Sequence, residues 1–166
     1  MKLFIKRMSD SDGSFENTQG GSLTYPKHAG SIKKGGHMIL KGLPCKVVNT
    51  STSKTGKHGH AKAAITGICI FTGKKCEDSI PSHQNVDVPN IKKTEYALIN
   101  VLEDNYLSLM DDESGEMFEE LKLSEHKHWA EMNEKLLEDF EAGHEIMVTV
   151  LDAMDQQCVI SYRKTS

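Results

Sequence analysis

A ten-residue stretch, 53–62, carries three lysines and two histidines but no side chain larger than alanine that would anchor it in a core. It reads Ser-Lys-Thr-Gly-Lys-His-Gly-His-Ala-Lys and lies between strand-like apolar runs at 45–48 and 63–71. This pattern predicts a cationic hairpin tip that a sheet holds out into solvent. Because such a tip adds little to stability, we expect it to present a side chain to a partner.

The length of 166 residues allows one domain or two small ones. No apolar run approaches the roughly 20 residues that span a bilayer, so no membrane association is expected. The four cysteines form no Cys-x-x-Cys pair, and their apolar neighbours favour buried free thiols in a reducing compartment. We therefore expect a cytoplasmic protein. The cysteines are Cys45, Cys69, Cys76 and Cys158.

Charge is divided unevenly along the chain. The formal net charge is −4, but residues 27–92 carry +8 and residues 93–166 carry −12. Two solvated surfaces would explain this division, and so would a basic half that docks on a polyanion. The basic tip favours the second interpretation, because phosphate contacts come mainly from lysine and arginine.

The first half of the chain has the pattern of a small β-protein. Residues 1–21 are rich in Ser, Asp and Gly, which predicts a disordered tail. From Ser22 onward, short apolar segments alternate with Gly, Pro and Asn, and no helical periodicity is present. We predict a small all-β barrel. Its candidate strands are 37–40, 45–49, 62–71 and 75–79.

The second half begins after a predicted junction at 87–93, where Pro89 excludes a central strand and the sign of the charge changes. Strand, helix, then two more strands is an order compatible with an OB-fold. The candidate strands are 95–102, 106–110, 117–123, 145–153 and 158–163.

A helix is predicted over 128–142. One apolar stripe supports it, and Gly143 is a plausible residue for the stop. The stripe consists of Trp129, Met132, Leu136, Leu137 and Phe140. We interpret it as packing against the core.

Three kinds of chemical site find no support in the sequence. Gly56-Lys57 lacks the first glycine and the hydroxyl of a nucleotide-binding loop. The pairs His58/His60 and His126/His128 have no evident third ligand, so a bound metal is not expected. No nucleophile lies in a recognisable elbow, so an intrinsic enzyme is not expected either. What remains at the tip is a displayed lysine.

The tip closely resembles the modification loop of the eukaryotic translation initiation factor 5A family, which contains hypusine. Two further stretches agree, Ile-Phe-Thr-Gly-Lys-Lys at 70–75 and Asp-Val-Pro-Asn-Ile-Lys at 87–92, and the resemblance extends through 146–154. It covers roughly residues 22–166. The family fold implies a mainly β protein, with an N-terminal SH3-like barrel followed by a C-terminal OB-fold with one helix. The implied domains are a tail at 1–21, the barrel at 22–89 and the OB-fold at 90–166.

The resemblance implies that Lys57 is converted to hypusine. In the family, deoxyhypusine synthase transfers an aminobutyl group from spermidine using NAD, and deoxyhypusine hydroxylase completes the residue. No cofactor is then expected on the chain itself, because this chain is a substrate of those enzymes. The implied partners are the ribosome and peptidyl-tRNA, with relief of stalls at proline-rich sequences and assistance in termination. The expected oligomeric state is a monomer or a weak dimer.

The resemblance also implies a set of residues that contact RNA or the ribosome. They are Lys54, Thr55, Gly56, Lys57, His58, Gly59, His60 and Lys62. Two features depart from the family pattern: the first seven residues, and a helical segment at 124–142 that is longer than expected. A general single-stranded nucleic-acid binder is an alternative, but the acidic second half argues against it, since such a surface should be a basic groove with stacking aromatics.

Overall fold

The computed structural model of the chain describes residues 22–54 and 61–165. The described chain forms two compact units, the first Ser22–Asn90 and the second beginning at Ile91. Both are built mainly of β-strands, as predicted. The tail predicted at 1–21 lies outside the described residues. No helix in the described part is long and apolar enough to cross a membrane.

The N-terminal unit consists of two antiparallel sheets that form a half-barrel. One sheet has four strands in the order β2-β3-β4-β5, and the other pairs β1 with β6. A two-residue turn, Lys41-Gly42, joins β2 to β3, and both residues have positive φ, as a hairpin of this length requires. The strands are β1 (Thr24–His28), β2 (His37–Leu40), β3 (Leu43–Lys54), β4 (Ala61–Cys69), β5 (Lys75–Pro81) and β6 (Asn85–Pro89).

The core of this unit follows from alternation along its strands. In β4, Ala63, Ile65 and Cys69 are buried, whereas Lys62 and Ala64, on either side of Ala63, are exposed. The side chains of Met38 and Leu40 from β2 complete the base and are almost fully buried. Alternate residues of a strand face opposite sides of the sheet, so one face covers the core and the other meets water.

All four cysteines are buried free thiols, as predicted. Burial, together with the neighbouring thiols of Cys76 and Cys69, raises the pKa of Cys45 to about 12. Burial alone raises the pKa of Cys158 to about 11. Because the thiolate is the reactive form, these side chains behave as small apolar groups in the folded protein.

Two strands were absent from the sequence prediction, β1 and β6. They pair with each other, with Tyr25 opposite Val88 and Pro26 opposite Asp87. Each contains a proline, which removes one backbone donor, and a two-stranded sheet tolerates that loss because each strand has a free edge. The segment predicted as a junction, 87–93, contains the end of β6 and the start of β7, and the division between the two units falls within it, after Asn90.

The C-terminal unit is an OB-fold, as predicted. Its five strands lie in the order β11-β10-β7-β8-β9, and the helix comes between β9 and β10. Buried side chains from the five strands and the helix form one cluster that includes Leu107, Leu109 and Val148. The elements are β7 (Lys92–Val101), β8 (Tyr106–Met110), β9 (Met117–Lys122), α1 (Ala130–Glu141), β10 (Ile146–Ala153) and β11 (Gln156–Lys164).

The helix α1 confirms the predicted stripe and the predicted stop. Leu136 is fully buried, and Met132, Leu137 and Phe140 pack against the same cluster. Gly143 has φ +93 and its N–H donates to the Phe140 carbonyl at 3.0 Å, while the next N–H donates to the Asp139 carbonyl at 3.2 Å. This is the Schellman pattern of a helix C-terminus.

The helix is shorter than the sequence indicated. The prediction began at residue 128, and the longer helical segment was placed at 124–142, but the α-helix covers only Ala130–Glu141. Lys127–Trp129 form a separate 3-10 turn instead. The apolar periodicity had included Trp129, which lies at the end of this turn. Its ring is edge-on to the His128 ring, with 4.5 Å between the ring centroids.

A hydrogen bond and an ion pair join α1 to β11. The Tyr162 hydroxyl donates a hydrogen bond of 2.6 Å to Oδ2 of Asp139, and Lys164 Nζ lies 3.7 Å from Oδ1 of the same carboxylate. The hydrogen bond, and after it the charges of Lys164 and His144, lower the pKa of Asp139. The same bond raises the pKa of Tyr162 to about 12.

Replacing Tyr162 by Phe is expected to make stability less sensitive to acid. A carboxylate with a lowered pKa stabilises the fold above its unfolded pKa of about 3.9 and loses this contribution as the pH falls through the folded value. The Tm of Tyr162→Phe should therefore lie furthest below the parent near neutral pH and approach it towards about pH 2. Tyr106→Phe, which removes another tyrosine hydroxyl, is the control. A Tm difference that stays constant over this range would contradict the assignment.

Candidate functional site

The predicted site lies at the far end of a β-hairpin made by β3 and β4. β2 pairs with β3 only as far as His37 opposite Lys46, but β3 continues to Lys54 and pairs with β4 throughout. The last pair is Lys54 opposite Ala61. At about 3.4 Å per residue, the part of β3 beyond Val47 extends roughly 24 Å. We call this part of β3, residues 48–54, with its partners in β4, the arm.

The predicted contact residues divide at the end of the arm. Lys54 and Lys62 are described, and both are exposed. Thr55, Gly56, Lys57, His58, Gly59 and His60 lie outside the described residues. These six residues join the ends of two strands that remain paired up to Lys54 and Ala61.

Lys54 and Lys62 lie on opposite faces of the arm. Lys62 is opposite Ser53, and Lys54 is opposite Ala61, one position further along each strand. Residues directly opposite each other share a face and adjacent residues do not. The two lysines therefore make both faces of the arm cationic, although the sequence placed them together in a single contact set.

The base of the tip is held from a third strand as well. β5 pairs along β4 as far as Pro81 opposite Lys62. Beyond this pair, the Ser82 N–H donates to the Ala61 carbonyl at 2.9 Å, and the Gly30 N–H donates to the Ser82 carbonyl at 2.9 Å. The β4 side of the arm is therefore fixed up to Ala61, the first residue of β4.

The near end of the arm is marked by a β-bulge. Val47 is opposite Gly67 and Asn49 is opposite Thr66, so Val48 is the extra residue, and it is 39% exposed. A bulge of this kind increases twist and exchanges the residues that face each side of the strand.

Gly67 provides the close approach that the bulge region needs. A Cβ on this residue would lie 2.8 Å from Cδ1 of Leu40 and 2.9 Å from Cβ of Cys45, with the Lys46 carbonyl oxygen at 3.1 Å. No residue with a side chain fits without displacing these atoms.

Sequence reasoning missed a groove beside the arm. Five positions were not selected from the sequence: the exposed side chains of Lys33 and Lys34, and the Thr50, Ser51 and Thr52 segment of β3 that faces them. The groove has a volume of about 540 Å³. The signal in the sequence was the Lys-Lys pair between glycines, which reads as an ordinary charged turn until the fold places it next to β3.

Residues 22–54 and 61–165 contain no evident metal-binding site. No group of three or more His, Cys, Asp or Glu side chains is arranged there to hold an ion. The pair His126/His128 is exposed in and beside the 3-10 turn before α1. The pair His58/His60 lies outside the described residues.

Comparison with known proteins identifies the family. A family described as "Translation initiation factor 5A-like, N-terminal" matches residues 22–84. Residues 90–163 match "Eukaryotic elongation factor 5A hypusine, DNA-binding OB fold". The chain belongs to the translation initiation factor 5A family. As a member of the 5A family it is a translation factor and not an enzyme.

Individual relatives match over nearly the whole chain. Eukaryotic translation initiation factor 5A of Drosophila melanogaster is 46% identical over 157 residues, covering 94% of this chain and 96% of the relative. Factor 5A-3 of Arabidopsis thaliana is 47% identical over 156 residues, covering 92% and 96%. The solved structure of a 5A family protein from Naegleria fowleri superposes with a TM-score of 0.80 at 45% identity, covering 86% of this chain and 99% of that one.

Replacing Gly67 by Ala is expected to destabilise the N-terminal unit by about 1–3 kcal/mol, because the added methyl overlaps Leu40 and Cys45. Amide hydrogen exchange at Ile65 and Cys69 should report this loss. Exchange at Val148, in the other unit, is an internal reference that should not change.

The matched control for this prediction is Ala64→Ser, at an exposed position of the same strand. It should change the exchange free energy by no more than about 0.5 kcal/mol. Equal effects of the two substitutions would show that the close packing at Gly67 is not what limits this position.

Proposed function

We propose that this 5A-family chain acts on the ribosome, where it promotes elongation through stall-prone, proline-rich sequences and assists termination. In this proposal it becomes active only after Lys57 is converted to hypusine. The observation that carries the proposal is the sequence at 53–62, which matches the family's modification loop and joins the ends of the paired arm at Lys54 and Ala61.

The modification is carried out by partner enzymes. Deoxyhypusine synthase transfers the aminobutyl group of spermidine to Lys57 with NAD as its cofactor, and deoxyhypusine hydroxylase completes the residue. An enzyme that modifies one lysine must receive it in a narrow cleft. The support of β4 by β3, β5 and Ser82 favours this, because a rigid base lowers the entropy lost when the tip enters the cleft.

Hypusine would act by position and charge. It keeps the lysine charge and adds a second amine on a longer side chain, so that two cationic groups reach neighbouring phosphates or ribose hydroxyls without reading bases. We infer that it braces the acceptor end of a slow peptidyl-tRNA. Holding the reacting groups in place lowers the entropic cost of peptide-bond formation, and the factor supplies no acid or base.

The remaining cationic residues support contacts with RNA. Lys54 and Lys62 lie on opposite faces of the arm, so both faces have a charge that attracts phosphate. His58 and His60 would add hydrogen-bond donors at the tip. We place the protein in the cytoplasm with the ribosome, as a monomer or weak dimer. The −12 charge of residues 93–166 disfavours a general role in binding single-stranded nucleic acid.

The Lys57→Arg variant is expected to lose rescue of stalls at proline runs. Arginine keeps the positive charge, but it does not offer the amine that accepts the aminobutyl group. Lys54→Arg is the matched control, since it alters a neighbouring lysine of the same loop and leaves Lys57 intact. The measurement is the yield of a reporter containing a proline run, in cells that depend on the variant. Normal rescue by Lys57→Arg would contradict the proposal.

A second measurement tests the modification directly. Peptide mapping by mass spectrometry of protein from its native host should find Lys57 extended and Lys54 unmodified. Protein made in bacteria should have plain lysine at both positions. Unmodified Lys57 in growing native cells would exclude hypusine at this site.

A further inference from the structure

Among the residues that the structure describes, none pairs with the outer edge of β3 along the arm. Where β2 ends, the Gly35 N–H donates to the Val47 carbonyl at 2.9 Å, and the Val47 N–H donates to the Gly36 carbonyl at 2.8 Å. Beyond Val47, no backbone hydrogen bond from residues 22–54 or 61–165 reaches this edge. A strand of six residues, 49–54, is therefore paired with β4 on one side only.

The register shows which backbone groups the open edge presents. The Ala61 carbonyl accepts from Ser82 on the β5 side, so the polar groups of Ala61 point away from β3. Its partner Lys54 then points its own N–H and C=O away from β4, and every second residue does the same. Thr50, Thr52 and Lys54 thus offer a row of alternating donors and acceptors.

A second wall faces this edge across the groove. It consists of Gly30, Ile32, Lys33 and Lys34, and it encloses about 540 Å³ with Thr50, Ser51 and Thr52. Ile32 is 5% exposed and anchors this wall in the core, whereas the two lysines are exposed. The groove therefore combines an unpaired strand edge with two positive charges.

We propose that a partner protein docks in this groove by adding an extended, carboxylate-rich segment to the outer edge of β3. Main-chain hydrogen bonds to Thr50, Thr52 and Lys54 would provide affinity, and Lys33 and Lys34 would select acidic side chains. The inference goes beyond the proposed function, because it assigns a protein-binding site that does not involve Lys57.

Two other occupants fit the groove less well. Nucleic acid offers phosphate acceptors but no regular row of donors, so the outward carbonyls of Thr50 and Thr52 would be left without partners. A second copy of this chain, paired edge to edge, would bring Lys33, Lys34 and Lys54 of both copies together, and like charges oppose such a contact. A peptide with carboxylates satisfies both the backbone groups and the charges.

The test uses the full chain, labelled for NMR, and a synthetic peptide of about ten residues that alternates Glu and Val. The peptide is expected to slow amide exchange at Thr50, Thr52 and Lys54 by about tenfold, because their N–H groups gain partners. Ser51 and Ser53, whose N–H groups already bond to β4, should change little. A peptide of the same length that alternates Lys and Val should have no effect.

Substitutions separate backbone pairing from charge attraction. Thr52→Pro removes one outward N–H, which an edge position tolerates, and should weaken binding by about tenfold. Thr52→Ala keeps that N–H and should stay within about twofold. The charge reversals Lys33→Glu and Lys34→Glu together leave the strand intact and should transfer binding from the acidic peptide to the lysine peptide.

Several results would overturn the proposal. These are no slowing of exchange with the acidic peptide, equal slowing with both peptides, or full affinity in Thr52→Pro. Protection of the same amides by an RNA oligomer in preference to the peptide would assign the groove to nucleic acid. Protection that rises with protein concentration alone would assign it to a second copy of the chain.

Discussion

The antiparallel pairing of β3 with β4 supports everything that the N-terminal unit presents to a partner. Its near half, from Cys45 opposite Cys69, lies beside β2 in the sheet and gains its free energy from the burial of apolar side chains. In its far half the β3 residues are polar and mostly exposed, and two isolated strands would be marginal in water. The arm persists because it continues the buried ladder beyond the bulge at Val48 and because β5 supports β4 as far as Pro81.

The two units differ in the sign of their net charge. The N-terminal unit has the basic arm and groove, whereas the residues of the C-terminal unit have a strongly negative sum. Both proposed contacts, the tip with RNA and the β3 edge with an acidic segment, therefore lie in the first unit. They share Lys54, whose backbone faces the open edge and whose side chain belongs to the predicted RNA-contacting set. A partner on the edge would thus change the charge available to RNA.

Much of the fold follows from local patterns, and the exceptions have physical causes. Short apolar segments located 37–40 and 106–110 with the boundaries observed, and the helix stop at Gly143 followed from its freedom at positive φ. The prolines of β1 and β6 lowered the strand propensity of both segments, so neither was predicted as a strand. Local propensity does not show that a strand pairs on one side only and can therefore contain a proline. The groove at Lys33 could not be predicted, because it exists only where β2 ends and β3 continues. The role of Lys57 was predicted from family resemblance alone, and Lys57 lies outside the described residues.

The extra residue at the bulge, Val48, determines which side chains of β3 lie on each face of the arm. With it, Thr50 and Thr52 lie opposite the buried-face positions Ile65 and Ala63; if Val48 paired regularly instead, Asn49 and Ser51 would take those places. A one-residue deletion or insertion in β3 between the bulge and the tip would therefore move every later β3 side chain to the other face of the arm, while leaving its composition almost unchanged. Changes of two residues would lengthen or shorten it with its faces preserved. Variation in arm length among functional descendants of this chain should accordingly occur in even steps, a constraint on evolution that no single side chain imposes.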